Sequence, residues 1–207
     1  AKHPHPILSD IKVRTALSKA IDRSILVEVG YGAGGRPTCN VIPGPEGWAS
    51  DNDGCIAQDM DGAKALLDEA GWTDSDGDGI RDKDGKKLKI LYQTTVNPIR
   101  QDFQALIKDW WTELGVEVEL KAVDPGVFFG GDPGSPDTFQ KFYADVEMYA
   151  NNSDNPDPET YLGQYQCKNA PSPENQWQGE NINRFCDPAY DALYAELGTT
   201  TDIAKRQ

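Results

Sequence analysis

Histidine is nearly absent from this chain: it has two, His3 and His5, both in the opening "AKHPHPILSD". Nucleophilic chemistry of the Ser–His or Cys–His kind needs an imidazole beside the nucleophile, and this proline-rich start reads as a disordered tail rather than a site. GxSxG, HExxH and the Walker A loop are missing too, and "GYGAGG" has neither a strand before it nor a helix opening after it. These absences point away from an enzyme. No stretch approaches the ~18 uninterrupted apolar residues of a membrane span, and the first ten residues lack the apolar segment of a signal peptide. That leaves a cytosolic protein, or an exported one whose leader lies outside these residues. Positive charge is also scarce. With 20 basic against 34 acidic residues, the net charge of -14 repels phosphate backbones and anionic membrane surfaces, which excludes nucleic acid and favours cations or neutral polar ligands.

What is present begins with four cysteines in 207 residues, a length that supports one sizeable core, burying roughly 70% of the unfolded surface. Cys39 and Cys55 bracket a Gly- and Pro-rich segment; Cys167 and Cys186 bracket "CKNAPSPENQWQGENINRFC". No CxxC or Cys/His metal spacing occurs, so disulfides are the natural reading. Pairing Cys39 with Cys55 and Cys167 with Cys186 closes two otherwise floppy loops, each stabilised by about 3 kcal/mol on the entropic account. Disulfides select the exported alternative.

Periodicity predicts one amphipathic helix from Ser9 to Val29 (Val13, Ala16, Leu17, Ala20, Ile21, Ile25), capped by Ser9 or Asp10 and stopped by Gly30. A second runs from Asp59 or Asp61 to Ala70, ending at Gly71. "KKLKILYQTT" reads as a strand, "NPIRQDFQALIKDWWTELG" as a helix with Asn97 as N-cap and Pro98 at N1, and "VEVELKAV" as a strand with Val116, Val118 and Leu120 inward. Together these form a βαβ unit with a right-handed crossover, in which Trp110 and Trp111 pack the core and its boundary. Further on, a short helix is expected over "PDTFQKF", a strand over "ADVEMYA" and a helix from Pro158. A last full helix follows from Asp187 with Pro188 at N1, and the start of another, capped by Thr201 or Asp202, falls in 198–207.

Two stretches carry candidate chemistry. In "DSDGDGIRDKDG", Asp74, Asp76 and Asp78 occupy positions 1, 3 and 5 of an EF-hand count, Gly79 position 6, Ile80 position 7 (a backbone ligand) and Asp82 position 9. Position 12 is Gly85, so the bidentate Glu is missing. The stretch is either a structural calcium loop bracing a helix-to-strand turn or a solvated acidic turn whose Asp side chains bond their own backbone. Four close carboxylates repel at roughly 1 kcal/mol per pair, which a divalent cation relieves. In "MYANNSDNPDPETYL", Tyr149, Asn151, Asn152 and Asp154 follow a predicted strand, where open α/β sheets present ligands: Tyr stacks, Asn donates and accepts, Asp takes a cation or hydroxyl.

The succession "DIKVRTALSKAIDRSILV", "AKALLDEAGWTDSDGDGIRDKDGKKLKI", "NPIRQDFQALIKDWWTELGVEVEL" and "YADVEMYANNSDNPDPETYL" resembles the C-terminal lobe of the family 5 extracellular solute-binding proteins, the peptide, nickel and opine type that serve ABC importers. The order of these motifs is more specific than any one of them. The resemblance implies an α/β fold: residues 1–207 as one lobe of a two-lobed, type II periplasmic-binding-protein-like protein, with a mixed sheet, a βαβ unit, flanking helices and no second lobe. It also implies an extracytoplasmic, lipid-anchored monomer that captures a peptide or other polar solute and passes it to an ABC permease. In peptide-binding members an acidic residue after the "YADVEMYA" strand holds the ligand's α-amine. The corresponding position here falls near Asn151 or Asn152, with Asp154 displaced, which leaves sugars and other polar solutes open beside peptides. A reading of a different class is an extracellular calcium-braced adhesion or carbohydrate-binding module; tandem DxDxDG repeats would favour it, and this chain has one.

Overall fold

The computed structural model describes residues 4–153 and 155–207. They form two compact units, one of residues 4–39, Asn52–Ala122 and Ala144–Met148, the other of Asn40–Asp51, Val123–Tyr143 and Tyr149–Gln207.

The first unit opens with α1 (Ile11–Lys19), whose N-cap Asp10 accepts from Lys12 N and whose buried side is Val13, Ala16 and Leu17. The single helix expected from Ser9 to Val29 is two helices. At Asp22 the carboxylate accepts from Ser24 N and Ile25 N, taking the amides a continuous helix would pair with carbonyls four residues back, and α2 (Arg23–Tyr31) starts afresh. Gly30 does not stop α2; it lies inside it, and the Phe103 ring, 2.3 Å from where a Cβ would stand, leaves no room for a side chain there. α3 (Met60–Glu69) packs against α1 and is capped by Asp59, which accepts from Gly62 N at 2.8 Å and from Lys19 Nζ at 2.6 Å.

An unanticipated hairpin follows. β1 (Asp82–Lys83) and β2 (Lys86–Lys87) pair antiparallel through a two-residue turn at Asp84 and Gly85, both at positive φ (53° and 74°). Asp-Gly is the dipeptide such turns require, and the signal was present in "RDKDGKK". The main sheet has β3 (Lys89–Thr95) in the centre, with β4 (Glu117–Val123) on one side and β5 (Val146–Glu147) on the other. β3 and β5 run parallel, Tyr92 opposite Val146. Between β3 and β4 comes α4 (Pro98–Glu113), with Asn97 capping it as expected. The core joins α1, α3, α4 and the sheet through Val13, Leu67, Leu88, Ile90, Tyr92, Ile107 and Val116. Leu120, expected inward, is 37% exposed: β4 is an edge strand, and the cover over that face ends after Val118. His5 is no loose tail: its Nε2 meets Asp145 Oδ1 at 2.7 Å, while Nδ1 accepts from Leu8 N at 2.8 Å.

In the second unit, α5 (Pro125–Phe128) was not anticipated, although "DPG" carries the same cap-plus-proline signal as Asp187–Pro188. "PDTFQKF" forms turns, not a helix, and the strand expected over "ADVEMYA" in the first unit shortens to β5. α6 (Glu159–Leu162), α7 (Pro188–Leu197) and α8 (Ile203–Arg206) stand where expected, the last capped by Asp202. Val123, Phe128 and Phe139 form a small core. Both disulfides join the expected partners, Cys39 with Cys55 and Cys167 with Cys186.

The α3 cap gives a pH test. The hydrogen bond from Lys19 and then that from Gly62 N hold the Asp59 carboxyl below its ordinary value. A carboxyl depressed on folding stabilises above its unfolded pKa of about 3.9, and the benefit disappears as pH falls through the folded value. Asp59→Asn is therefore expected to lower the urea midpoint at pH 7, and the gap to the parent to close progressively below about pH 4.

Candidate functional site

The loop after Tyr149 folds on its own polar side chains. Asn151 Nδ2 donates to Gln164 Oε1 at 3.0 Å, Asn152 N to Asn151 Oδ1 at 3.0 Å, and Ser153 Oγ to Asn155 O at 3.1 Å. Asp157 Oδ1 accepts from Glu159 N at 3.0 Å just ahead of α6, whose N-cap is Pro158. An α6 that begins there carries Thr160 and Tyr161 on its single turn, with Gln164 just beyond. The result is an open depression of about 290 Å³ lined by Asn151, Asn152, Ser153, Asn155, Asp157, Thr160, Tyr161, Gln164 and Glu180.

This lining offers amide and hydroxyl groups that both donate and accept, two carboxylates and one aromatic wall. It suits a polar solute bound through several hydrogen bonds, and the carboxylates favour an ammonium group over an anion. Asp157 is already engaged: Arg206 Nε and Nη2 reach its Oδ2 at 2.9 and 2.7 Å, and Nη2 also reaches Glu159 Oε2 at 2.7 Å. Glu180 is thus the more available acid. Next to Tyr161, burial first and then the hydrogen bond with Tyr161 push the Tyr165 phenol well up, so it stays protonated at any physiological pH.

Of the four residues singled out in the sequence, Asn151 and Asn152 come together in the depression. Tyr149 is half-buried in an aromatic group with Phe128, Phe129 and Phe139, ring centroids 5.3–6.3 Å away, so its ring serves packing. Asp154 lies outside the described residues. Sequence reasoning missed Thr160, Tyr161, Gln164 and Glu180. The first three were legible from α6 following directly on the loop, but nothing local places Glu180 there.

Glu180 is set by the loop that the Cys167–Cys186 bridge closes. Asn181 beside it is fully buried, and its Nδ2 faces three carbonyls: Phe185 O at 2.7 Å, Gln166 O at 3.0 Å and Tyr165 O at 3.1 Å. One amide thus joins both ends of the bridged loop.

In the acidic loop the structure brings three of the five predicted ligands together: one carboxylate oxygen each from Asp74, Asp76 and Asp78, all within 4.8 Å of one another. Asp74 also accepts from Gly77 N at 2.8 Å and Gly79 N at 2.9 Å, and Asp78 from Ile80 N at 2.9 Å. Lys87 pairs with Asp78, and this contact, followed by the Ile80 amide, holds the Asp78 carboxyl below the usual range. Asp82 turns to Ser75, accepting from its amide at 3.0 Å and its hydroxyl at 2.8 Å. The oxygen donors suit a hard cation, which would compete with these amides and with Lys87.

Residues 2–172 match the family described as bacterial extracellular solute-binding proteins, family 5 middle, and the chain belongs to that family of binding proteins. It is 33% identical over 122 residues to the oligopeptide-binding protein AppA of Bacillus subtilis, covering 57% of this chain and 22% of AppA. With the oligopeptide-binding protein OppA of Mycobacterium tuberculosis H37Rv it shares 32% over 131 residues, 61% of this chain and 22% of OppA. The structure of B. subtilis AppA in complex with a nonapeptide superposes with a TM-score of 0.68 at 25% identity, over 98% of this chain and 39% of that one. NikZ of Campylobacter jejuni in complex with Ni(L-His) shares the fold, with a TM-score of 0.75 at 21% identity over 98% of this chain and 38% of NikZ. The chain therefore spans about a fifth of the two curated relatives and two-fifths of the solved chains. Its α/β architecture, with a parallel strand pair and flanking helices, is that of part of such a binding protein. Among the described residues no helix is long and apolar enough to cross a membrane.

Asn181→Ala is expected to destabilise the second unit by about 2–4 kcal/mol, because three carbonyls lose a buried donor. Hydrogen exchange is the check: amides at 166–170 and 185–186 should lose protection, while those of β3 keep theirs.

Proposed function

We propose that this chain is part of the solute-capturing component of an ABC importer and that it receives oligopeptides or a related polar solute in the depression at residues 151–164, for delivery to a membrane permease. The observation that carries the reading is the convergence of amides, hydroxyls and a free-standing carboxylate in one open depression, on a chain that belongs to a solute-binding family. Two relatives named as oligopeptide-binding, and one solved with a nonapeptide, support peptides as the solute class. Two disulfides and membership of an extracellular family support work outside the cytoplasm, where a lipid anchor would hold the protein near its permease.

The test is calorimetric titration of the natural full-length protein with short peptides of mixed sequence. Saturable binding is expected, and Gln164→Ala should weaken it roughly tenfold, the cost of about one hydrogen bond. Failure of every peptide to bind the full-length protein would remove the reading.

Calcium in the acidic loop belongs to the same proposal, as a brace on the turn between α3 and the hairpin with no part in solute chemistry. Its support is the meeting of the Asp74, Asp76 and Asp78 carboxylates. Millimolar calcium is expected to raise Tm, and Asp76→Asn to reduce the rise. Calorimetry with no heat of calcium binding at millimolar concentration would remove the ion.

A further inference from the structure

Three residues of the solute depression, Asn155, Asp157 and Thr160, also line a second open depression of about 510 Å³, to which Pro156, Glu159 and Arg206 contribute as well. Arg206 lines only the second. Asp157 thus stands in the wall between two concave surfaces, and a guanidinium meets it from the far one.

Every N–H of that guanidinium is committed. Nε donates to Asp157 Oδ2 at 2.9 Å, Nη2 to Asp157 Oδ2 and Glu159 Oε2, each at 2.7 Å, and Nη1 to Leu197 O and Thr200 O, again at 2.7 Å. Five donors make five bonds, the full complement of an arginine. Arg206 is also the one residue of α8 that is not exposed: 12% of its side chain is open to solvent, against 43% for Asp157. The cation lies beneath and the carboxylate faces outward. Swinging the guanidinium into water would strand two carbonyls at the end of α7, so its charge stays where it is.

Asp157 is spent in turn. Its Oδ1 accepts from Glu159 N at 3.0 Å and its Oδ2 accepts twice from Arg206. Glu180, the other acid of the solute depression, has no ion pair among the described residues. Two carboxylates in one wall would ordinarily draw two positive charges; here one of them already has its own.

We propose that Arg206 is a specificity-determining residue of the depression: it withholds Asp157 from the solute, so that a further positive charge on the solute gains no affinity there. The inference rests on the solute site proposed above and takes tripeptides as its probes.

Two measurements on the natural full-length protein test it, and the first needs no peptide. The carboxyl carbons of Asp157 and Glu180 are followed by NMR as methylammonium chloride is added against a sodium chloride control. A saturable shift is expected at Glu180 and none at Asp157. A saturable shift at Asp157 overturns the proposal, whatever the variants do. In the second, tripeptides carrying lysine at each position in turn are titrated by calorimetry beside their norleucine counterparts, which keep the alkyl stem and lack the charge. The largest lysine-to-norleucine affinity ratio is expected to rise at least about fivefold from the parent to Arg206→Met, and to return to the parent's value in Arg206→Lys, which restores a cation. In an Arg206→Met protein that circular dichroism shows to be folded, equal loss of both members of each pair marks a merely structural arginine and overturns the proposal. Should that variant unfold, the methylammonium titration alone decides. A methylammonium response at Glu180 only, with no peptide bound by the parent, would remove the peptide reading and leave the withholding of Asp157 standing.

Discussion

The indole N–H of Trp111 holds the first unit together. It is buried and donates to Leu17 O at 2.9 Å, while its ring packs 5.6 Å from that of Tyr92. One side chain of α4 thus reaches both α1 and the central strand. The bond satisfies a carbonyl near the C-terminal end of α1, a region where helical carbonyls run out of amide partners. Tyr92, in turn, lies opposite Val146, so the position of β5 depends on the same packing. A phenylalanine at 111 would fill much of the volume and still leave the indole's bond to Leu17 unmade.

The acid excess has a local explanation that the net charge alone conceals. Of the eight α-helices among the described residues, six begin on an aspartate: Asp10, Asp22, Asp59, Asp124, Asp187 and Asp202. Each carboxylate accepts an otherwise unpaired first-turn amide and lies at the positive end of the peptide dipoles. Six of the 34 acidic residues therefore define where helices start, which matters in a chain with several helices of four to ten residues. It is weaker evidence about the ligand than the total of -14 suggests.

The same residues mark how far the sequence could be read. Caps followed by proline, as at Asn97–Pro98 and Asp187–Pro188, fixed helix starts to within a residue, and the cysteine pairing followed from chain proximity. Asp22 was misread because helical periodicity runs on either side of it, and only its side-chain bonds to Ser24 and Ile25 reveal the break. In the site, Asn151 and Asn152 were legible as a polar loop after a strand. Glu180 was not, since its place depends on Asn181 reaching carbonyls 15 and 16 residues earlier. Tyr149 looked like a ligand platform because a tyrosine beside asparagines gives no sign of the three phenylalanines that claim its ring.

The disulfides pair each cysteine with its next neighbour in the chain, at separations of 16 and 19 residues. A polypeptide threading out of the cytoplasm N-terminus first presents its thiols to the oxidising side in that same order. Of these four cysteines, Cys39 and Cys55 can close before Cys167 emerges, which leaves Cys167 to pair with Cys186. Of the three pairings that four cysteines allow, sequential oxidation during translocation gives the native one directly, with no need for an isomerase to correct it.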